Sequence, residues 1–544
     1  MIRPQRSPEI GLPLRYLATG MVAWLVAAVA VPLLAVHLIS GFDDPKVFAL
    51  THLVVLGWVT MTLMGVLYQL FPVALRASLA APRLARWNYL VYAGGVAGFV
   101  PSFYFNWTPG VAGFGSLAVL GILIFATLLA VSYRTVSARH PMGTFVLCGL
   151  AWLLVTIGFG LTWALDWQFR WFAITPSMLA AHVHAGLAGW LGCTLIGVSY
   201  KLMELFALAH RRSWRAAHVL LVLWNVSLAA LVLGLLLWPA SLEVTVAASM
   251  LAAAVLLFAA DLFQMWRGRR RRRVSVEQGH VAVSLVSLLL AAGLGVILST
   301  RAGVPPRAFV AYGYAAIMGG FGFAIAGRYQ KILPFLTWVH RYSRGPGPTP
   351  PPLLQDLVDE RLGWVSLLLL SFGYVTTLVG LLTASQVSVL AGGSVYAAGA
   401  LLGLGAVRLT LLPAHATRRS GPLAAHPDPR GRMPAPPTLG GRPEARPGLS
   451  SEAFPLRPDG PGTALGRRDD WRRGAVGRGP HRLRAEARRP AGLVCRSGGA
   501  RLPPVPRPRP YPVRAAGRLP FPATAGPPRG LRAGGRGRGA SGRP

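Results

Sequence analysis

Apolar residues occupy this chain in long runs, and short polar stretches separate one run from the next. Twelve runs are long enough to cross a bilayer as helices, because about 20 residues span the hydrocarbon core. The pattern therefore predicts an all-α polytopic membrane protein with about twelve transmembrane helices. The predicted spans begin near Leu14, Val47, Trp87, Gly110, Met142, Met178, Ala217, Leu242, His280, Phe309, Leu362 and Val389.

Arginines follow every second span, as in the run Arg269 to Arg273 after span eight. The loops on the other side carry acidic or aromatic residues such as Asp43 and Asp44, and only the loop around Arg301 departs from this alternation. Because positively charged loops remain in the cytoplasm, the alternation predicts that both termini are cytoplasmic.

One span opens with a histidine, His52, and the sequence of that span recurs later in the chain. The segments that begin at His52 and His184 agree at nine of nineteen positions. Apolar bias alone would not align histidine, tryptophan and tyrosine in one register, so a duplicated membrane unit is indicated. The matched pairs are His52/His184, Gly57/Gly189, Trp58/Trp190, Thr62/Thr194, Leu63/Leu195, Gly65/Gly197, Val66/Val198, Tyr68/Tyr200 and Leu70/Leu202.

The two copies lie in spans two and six, so span ten is the place expected for a third copy. There Tyr329-Gln330 and Leu333-Pro334 repeat the pattern of Tyr68-Gln69 and Leu70-Phe71-Pro72. No histidine stands at the position of His52. The spacing predicts a pseudo-three-fold bundle of four-helix units whose third copy is scaffold without the ligand.

Histidines inside membrane spans are costly and mark ligand, proton-relay or cofactor sites, unless they hydrogen-bond to a neighbouring helix. His52 and His184 lie near the outer ends of their spans, and packing alone would not require histidine in both copies. His182 and His184 are about 200° apart around a helix and cannot both point at one atom. The repeat register favours His184, and His37 is a further candidate at the same depth.

These residues suggest a metal or a haem. Neutral imidazole is the commonest metal ligand and a usual axial ligand of haem iron. Two histidines that face each other can clamp a haem, whereas three or more at one depth suit copper. We therefore predict a cofactor site at His52 and His184, with His182, His184 and His37 as candidate metal ligands. No residue pattern identifies a catalytic group.

Two tyrosines, Tyr68 and Tyr200, lie about 24 Å further along their helices than the histidines. This separation is too great for them to share the histidine site. We expect them to anchor their helices at the membrane interface, where tyrosine is enriched. The alternative is that they line a proton route with Glu204 and Lys201.

Composition agrees with a membrane protein up to about residue 412 and changes abruptly after it. The 544 residues are 53% hydrophobic and 13% charged, with a formal charge of +37. Residues 1–412 are predicted to form the transmembrane domain. Residues 413–544 hold 27 arginines and no lysine, are rich in proline and glycine, and cannot bury a core. This tail is interpreted as a disordered segment or a frame-shift product, with a polybasic arm as the functional alternative.

The twelve spans, the four-helix repeat and the histidines of spans two and six resemble subunit I of the haem–copper oxidase superfamily. The likeness is greatest to its divergent cbb3-type and nitric-oxide-associated (NnrS-like) relatives, and it covers roughly residues 10–412. The resemblance implies that His52 is an axial ligand of a b-type haem and that His184 or His182 is a copper ligand. It also implies a multi-pass protein of the bacterial inner membrane.

The histidine pairs that the family carries on helices seven and ten have no counterpart here. The resemblance therefore implies the fold and a haem or metal, and not a complete oxygen-reducing centre. The expected function is respiratory electron transfer or redox and nitric-oxide handling, and an enzyme would be cytochrome c oxidase-like or nitric-oxide-related. Expected partners are the lipid bilayer, a haem-containing electron donor or other oxidase-like subunits, and no nucleic acid. The alternatives are a metal-ion or proton-coupled transporter and a cofactor-free assembly or sensor protein.

Overall fold

The computed structural model describes seven stretches of the chain: residues 10–137, 140–209, 213–239, 241–270, 273–301, 303–342 and 357–411. All of them belong to the first of the two units into which the chain divides, residues 1–429. The predicted tail, residues 413–544, lies outside the described residues.

The described residues form helices joined by short connections, and none of them lies in a β-strand. A short helix, Ala35–Ser40, follows the first long one. The long helices are α1 (Gly11–Leu33), α2 (Pro45–Leu75), α3 (Pro82–Tyr104), α4 (Thr108–Tyr133), α5 (Pro141–Phe169), α6 (Pro176–Phe206), α7 (Arg215–Leu237), α8 (Leu242–Arg267), α9 (Val276–Thr300), α10 (Pro306–Val339), α11 (Glu360–Thr383) and α12 (Gln386–Leu411).

In the part of the chain that the structure describes, eleven helices are long and apolar enough to cross a membrane. The predicted span that is not among them is α3. It forms a helix of 23 residues, but Arg83, Arg86 and Asn88 make its first turns polar. The prediction of a polytopic all-α membrane protein is thus confirmed, with eleven spans supported by length and composition.

Local signals in the sequence explain where the repeated helices begin. Proline occupies the first turn of α2, α6 and α10, where its missing N–H costs no hydrogen bond. Asp44 caps α2 by accepting a hydrogen bond of 2.8 Å from the Lys46 amide, and Thr175 caps α6 in the same way at Met178. His52 is therefore the eighth residue of α2, and His184 is the ninth residue of α6.

The helices pack in three sets of four, α1–α4, α5–α8 and α9–α12. Within each set the first helix contacts the second, the second contacts the third, and the third contacts the fourth. Between sets, α4 packs on α5, α8 packs on α9, and α12 packs on α1, which closes the ring. The second helices, α2, α6 and α10, approach one another inside this ring. We call the end where they begin the histidine end and the opposite end the arginine end.

Each of these three inner helices contains a π-helical segment of eight residues. The segments are Leu53–Thr60, Ala185–Gly192 and Ala315–Gly322, and they start one residue after His52, His184 and Tyr314. A π-helix is rare, usually lasts a single turn, and is frequent at functional sites. Its presence at the same point of α2, α6 and α10 gives the repeat a structural register that does not depend on sequence identity.

Side chains of neighbouring helices bind backbone carbonyls of these π segments. The Tyr92 hydroxyl donates to the Leu56 carbonyl at 3.0 Å, and the Trp224 indole N–H donates to the Ala188 carbonyl at 2.8 Å. Leu56 and Ala188 are both the fourth residue of their segments. The third helix therefore donates an equivalent hydrogen bond to the second helix in both the first and the second set.

Glycines mark the places where the first helix of each set crosses the inner helix. A Cβ on Gly65 would lie 2.6 Å from the Cβ of Tyr16, on Gly197 2.8 Å from that of Phe145, and on Gly327 2.5 Å from that of His280. Each glycine lies twelve residues after the start of its π segment, from 53 to 65, 185 to 197 and 315 to 327. The crossings therefore share one register, in which Tyr16, Phe145 and His280 are equivalent.

This register corrects the alignment of the third copy. Tyr68 and Tyr200 lie three residues after their crossing glycines, and the residue three after Gly327 is Gln330. The resemblance of Tyr329-Gln330 to Tyr68-Gln69 is therefore one residue out of structural register. Two shared residue types in an apolar helix were too little to fix the alignment.

Tyr68 and Tyr200 are fully buried, so the prediction that they are interfacial anchors is wrong. The Tyr68 hydroxyl accepts a hydrogen bond of 3.1 Å from the Asn88 amide, and the Tyr200 hydroxyl donates one of 2.7 Å to the Asp261 carboxylate. Both tyrosines face neighbouring helices of the bundle, where a buried hydroxyl needs a partner.

Candidate functional site

His52 lies in α2 immediately before the first π segment and is partly buried. Its Nδ1 donates a hydrogen bond of 2.8 Å to the backbone carbonyl of Phe48, one turn earlier in the same helix. The imidazole stacks on Phe103, with ring centroids 4.9 Å apart, and meets the Phe99 ring edge-on at 5.3 Å. The bond to Phe48 fixes the ring and leaves Nε2 as the nitrogen with a free lone pair.

His184 has the same position and the same internal hydrogen bond in α6. Its Nδ1 donates to the Ala180 carbonyl at 2.7 Å. Its Nε2 is engaged, because the Tyr312 hydroxyl of α10 lies 3.0 Å from it and the two rings stack with centroids 5.9 Å apart. His184 is therefore oriented as a ligand would be, with its lone pair occupied by a protein hydroxyl.

His182 faces the other way, as its angular separation from His184 predicts. Its ring lies 5.1 Å from that of Trp163, and the Thr156 backbone is within reach of the ring. Its Nδ1 is buried and has no hydrogen-bond partner among the described residues. His182 also lies near His52 of α2.

His37 is part of a separate polar group at the histidine end. Its Nδ1 lies 2.5 Å from the Asp44 carboxylate and its Nε2 lies 3.2 Å from the Lys46 ammonium. About a third of the His37 side chain is exposed (32%). Both ring nitrogens thus have hydrogen-bond partners, and none of these partners is another of the candidate histidines.

The structure therefore places His182 near His52, whereas His184 pairs with Tyr312 and His37 pairs with Asp44 and Lys46. The π register explains the pairing: His52 and His184 each lie one residue before a π segment, and His182 and Tyr312 each lie three residues before one. By register, the positions of His52 and His182 on α2 and α6 are thus equivalent to those of His184 and Tyr312 on α6 and α10, although only His184 and Tyr312 are in contact. Within the described ranges, no group of three His, Cys, Asp or Glu side chains converges as a metal site.

Aromatic side chains surround the His52–His182 pair. Phe103 contacts Trp167 at 5.0 Å between ring centroids, and Phe48 contacts the same indole at 6.2 Å. These rings exclude water from one side of the imidazoles and lower the local dielectric, which strengthens any interaction between the imidazoles and a charge.

Sequence reasoning did not single out a buried ion pair near the arginine end. Arg328 of α10 pairs with Glu277 of α9, and its guanidinium also lies 3.5 Å from the Ser199 hydroxyl of α6. Both charged side chains are almost completely buried. The sequence does show Arg328 within the apolar run of span ten, and an arginine in such a run needs a buried counter-charge. Its partner on another helix was not visible in the sequence.

No family model matches the chain, and no curated protein shows significant similarity to it.

Proposed function

We propose that this protein is a membrane redox protein that binds a transition metal, most simply a haem iron, between His52 and His182. The observation that supports this is their proximity: two imidazoles from equivalent helices of successive four-helix sets lie near each other without ring contact. His52 offers Nε2, and His182 has a buried ring nitrogen without a partner among the described residues. A buried polar atom without a partner is costly unless an additional group satisfies it.

The donor chemistry fits a metal that accepts neutral imidazole. The carbonyl of Phe48 holds the His52 ring in the tautomer that presents Nε2, as is usual for metal-bound histidines. His52 and His182 would supply two imidazole donors to a haem iron, and a third donor would favour copper, which is the alternative metal. When bound, the metal would supply one-electron chemistry. The protein would orient the imidazoles and exclude water.

His184 is not part of the proposed ligand pair, although the sequence repeat favours it. The Tyr312 hydroxyl occupies its Nε2, so a metal would first have to displace that hydrogen bond. His37 is likewise engaged by Asp44 and Lys46.

The proposal includes a place in a respiratory or nitric-oxide-handling chain of the bacterial inner membrane. The support is the resemblance to the haem–copper oxidase subunit I superfamily together with the three-fold arrangement of four-helix sets. The alternation of arginine-rich loops supports cytoplasmic termini. A haem-containing electron donor or another oxidase-like subunit would then be the redox partner.

A second candidate function, ion- or proton-coupled transport, is favoured by the ion pair of Glu277 with Arg328. Charges buried within membrane helices often belong to transport pathways. Metal-ion or proton uptake into proteoliposomes would support this alternative. A protein without any cofactor would support an assembly or sensor role on an oxidase-like scaffold.

The deciding experiment is a reduced-minus-oxidised absorption spectrum of the detergent-purified protein. A pyridine haemochrome assay and metal analysis would be performed on the same sample, after expression with ample haem. A stoichiometric haem band is expected. A colourless preparation without metal would overturn the proposal.

Variants then identify the ligands. His52→Ala and His182→Ala should each abolish the spectrum while the protein still inserts and purifies. His37→Ala is the matched control and should retain it, as should His184→Ala. If His184→Ala lost the band and His182→Ala kept it, the ligand pair would instead be His52 with His184.

A further inference from the structure

A small cavity lies near the arginine end, between α1 and the third four-helix set. Met21, Trp24, His280, Tyr329 and Gln330 contribute to its wall. The space accommodates about one particle of the size of a water molecule. It is separate from the His52–His182 pair, because His280 lies in the second turn of α9 at the opposite end of the bundle.

His280 presents one uncommitted nitrogen at this cavity. Only 1% of the residue is exposed, and its Nδ1 donates a hydrogen bond of 3.0 Å to the Val276 carbonyl. Its Nε2 has no hydrogen-bond partner among the described residues. Because the ring lines the cavity, Nε2 is the atom available to whatever occupies it.

The internal repeat shows that packing does not require a histidine at this position. Tyr16 and Phe145 are equivalent to His280 at the glycine crossings of the first two sets. Met21 is five residues after Tyr16, and the residues five after Phe145 and His280 are Leu150 and Leu285. At the position of His280, the first two sets thus have tyrosine and phenylalanine. At the position of Met21, the second and third sets have leucine.

The charge of the lining restricts the occupant. No charged side chain is among the described residues that line the cavity, and the nearby Glu277 is already paired with Arg328. Hard divalent cations such as Mg²⁺ or Ca²⁺ need carboxylate or several oxygen ligands. Thioether sulfur and neutral imidazole together favour a soft monovalent ion.

We propose that this cavity binds a single Cu(I) ion between the Met21 sulfur and the His280 Nε2. The thioether and the imidazole are both neutral, so the bound ion keeps a single positive charge. That single charge costs less to bury than a divalent ion would. The site is independent of the proposed metal at His52 and His182, from which it differs in helices, depth and ligand chemistry.

The test is an anaerobic Cu(I) titration of the full-length protein in detergent against a chromophoric chelator. The background is the His52→Ala/His182→Ala double variant, which removes the other proposed metal site. Adding Met21→Leu or His280→Phe reproduces residues that the repeat already uses at these positions, so both changes keep the packing. Each is expected to lower the number of bound Cu(I) ions by about one per protein.

Equal Cu(I) binding by the background protein and both added variants would overturn the proposal. X-ray absorption at the copper edge gives a second, independent readout. Sulfur scattering that disappears in Met21→Leu is expected. Copper bound only by nitrogen or oxygen in the background protein would also overturn it, and would leave water as the occupant of the cavity. The haem spectrum of the protein with intact His52 and His182 reports on the other site, so the two proposals fail separately.

Discussion

The Tyr312 hydroxyl donates a hydrogen bond of 3.0 Å to Nε2 of His184. Tyr312 stands three residues before the π segment of α10, as His182 does in α6. The protein thus contains two equivalent inter-helix pairs, one of two histidines and one of a histidine with a tyrosine. The difference between them is a single side chain, and it decides which pair has free imidazole nitrogens.

Replacing Tyr312 tests this equivalence. Tyr312→His should create a second histidine pair with His184 and raise the bound metal by about one equivalent per protein. Tyr312→Phe is the matched control, since it frees Nε2 of His184 without adding a donor. Metal analysis of both purified variants checks the prediction. An unchanged metal content in Tyr312→His, in a protein whose His52 site is loaded, would contradict it.

Close helix crossings predict a strong effect of added volume at Gly65. An alanine Cβ there would lie 2.6 Å from the Tyr16 Cβ and 3.1 Å from the Pro13 carbonyl oxygen, and neither can move without shifting α1. Gly65→Ala should therefore lower the free energy of unfolding by about 1–3 kcal/mol, the usual cost of overpacking.

Gly94→Ala is the control for the crossing, because nothing lies within 4 Å of the added Cβ. It should leave stability unchanged or raise it by about 0.5–1 kcal/mol, since alanine is the better helix former. Thermal unfolding of both variants in the same detergent gives the comparison. Equal melting temperatures would show that α1 does not cross α2 at Gly65.

Substitutions in the buried ion pair of Arg328 and Glu277 should change the free energy of unfolding strongly, and the changes should not be additive. Arg328→Met leaves the Glu277 charge buried without its Arg328 partner. The substitution should therefore lower the free energy of unfolding by about 3–5 kcal/mol. The double variant Arg328→Met/Glu277→Leu should recover most of that loss, because no charge then remains buried. Unfolding in a denaturing detergent measures each stability. Additive losses in the double variant would be inconsistent with a direct pair.

An exposed ion pair provides the reference for this measurement. Arg273 lies 2.7 Å from Glu360, and 72% of its side chain is exposed. Arg273→Met should cost less than about 1 kcal/mol, because solvent screens such pairs.

The hydrogen bonds to the π segments predict a moderate loss of stability. Trp224→Phe removes the N–H that binds the Ala188 carbonyl, and Tyr92→Phe removes the hydroxyl that binds the Leu56 carbonyl. Each should cost about 1–3 kcal/mol, since a buried carbonyl loses its partner. Trp87→Phe is the control, because 67% of Trp87 is exposed. Hydrogen exchange of the π segments should accelerate in the first two variants and remain unchanged in the third.

The sequence by itself determined the membrane class and the internal repeat. Apolar runs must form helices in a bilayer, because backbone groups there find no water, so hydropathy alone indicates most of the spans. The matched histidines, tryptophans and tyrosines of spans two and six revealed the duplication because these residue types are rare in apolar segments. The four candidate histidines were found for the same reason.

Tertiary structure alone decided what each of those residues contacts. A π segment adds a residue to the helical turn and rotates every side chain that follows, which a regular 100° step does not anticipate. Tyr68 and Tyr200 follow such segments, and they are buried rather than interfacial. His184 precedes its segment, and its neighbour Tyr312 depends instead on which helix packs beside α6. The pairing of Arg328 with Glu277 spans 51 residues. Such contacts depend on which helices become neighbours in the ring, and apolar helices of similar composition carry little information about that.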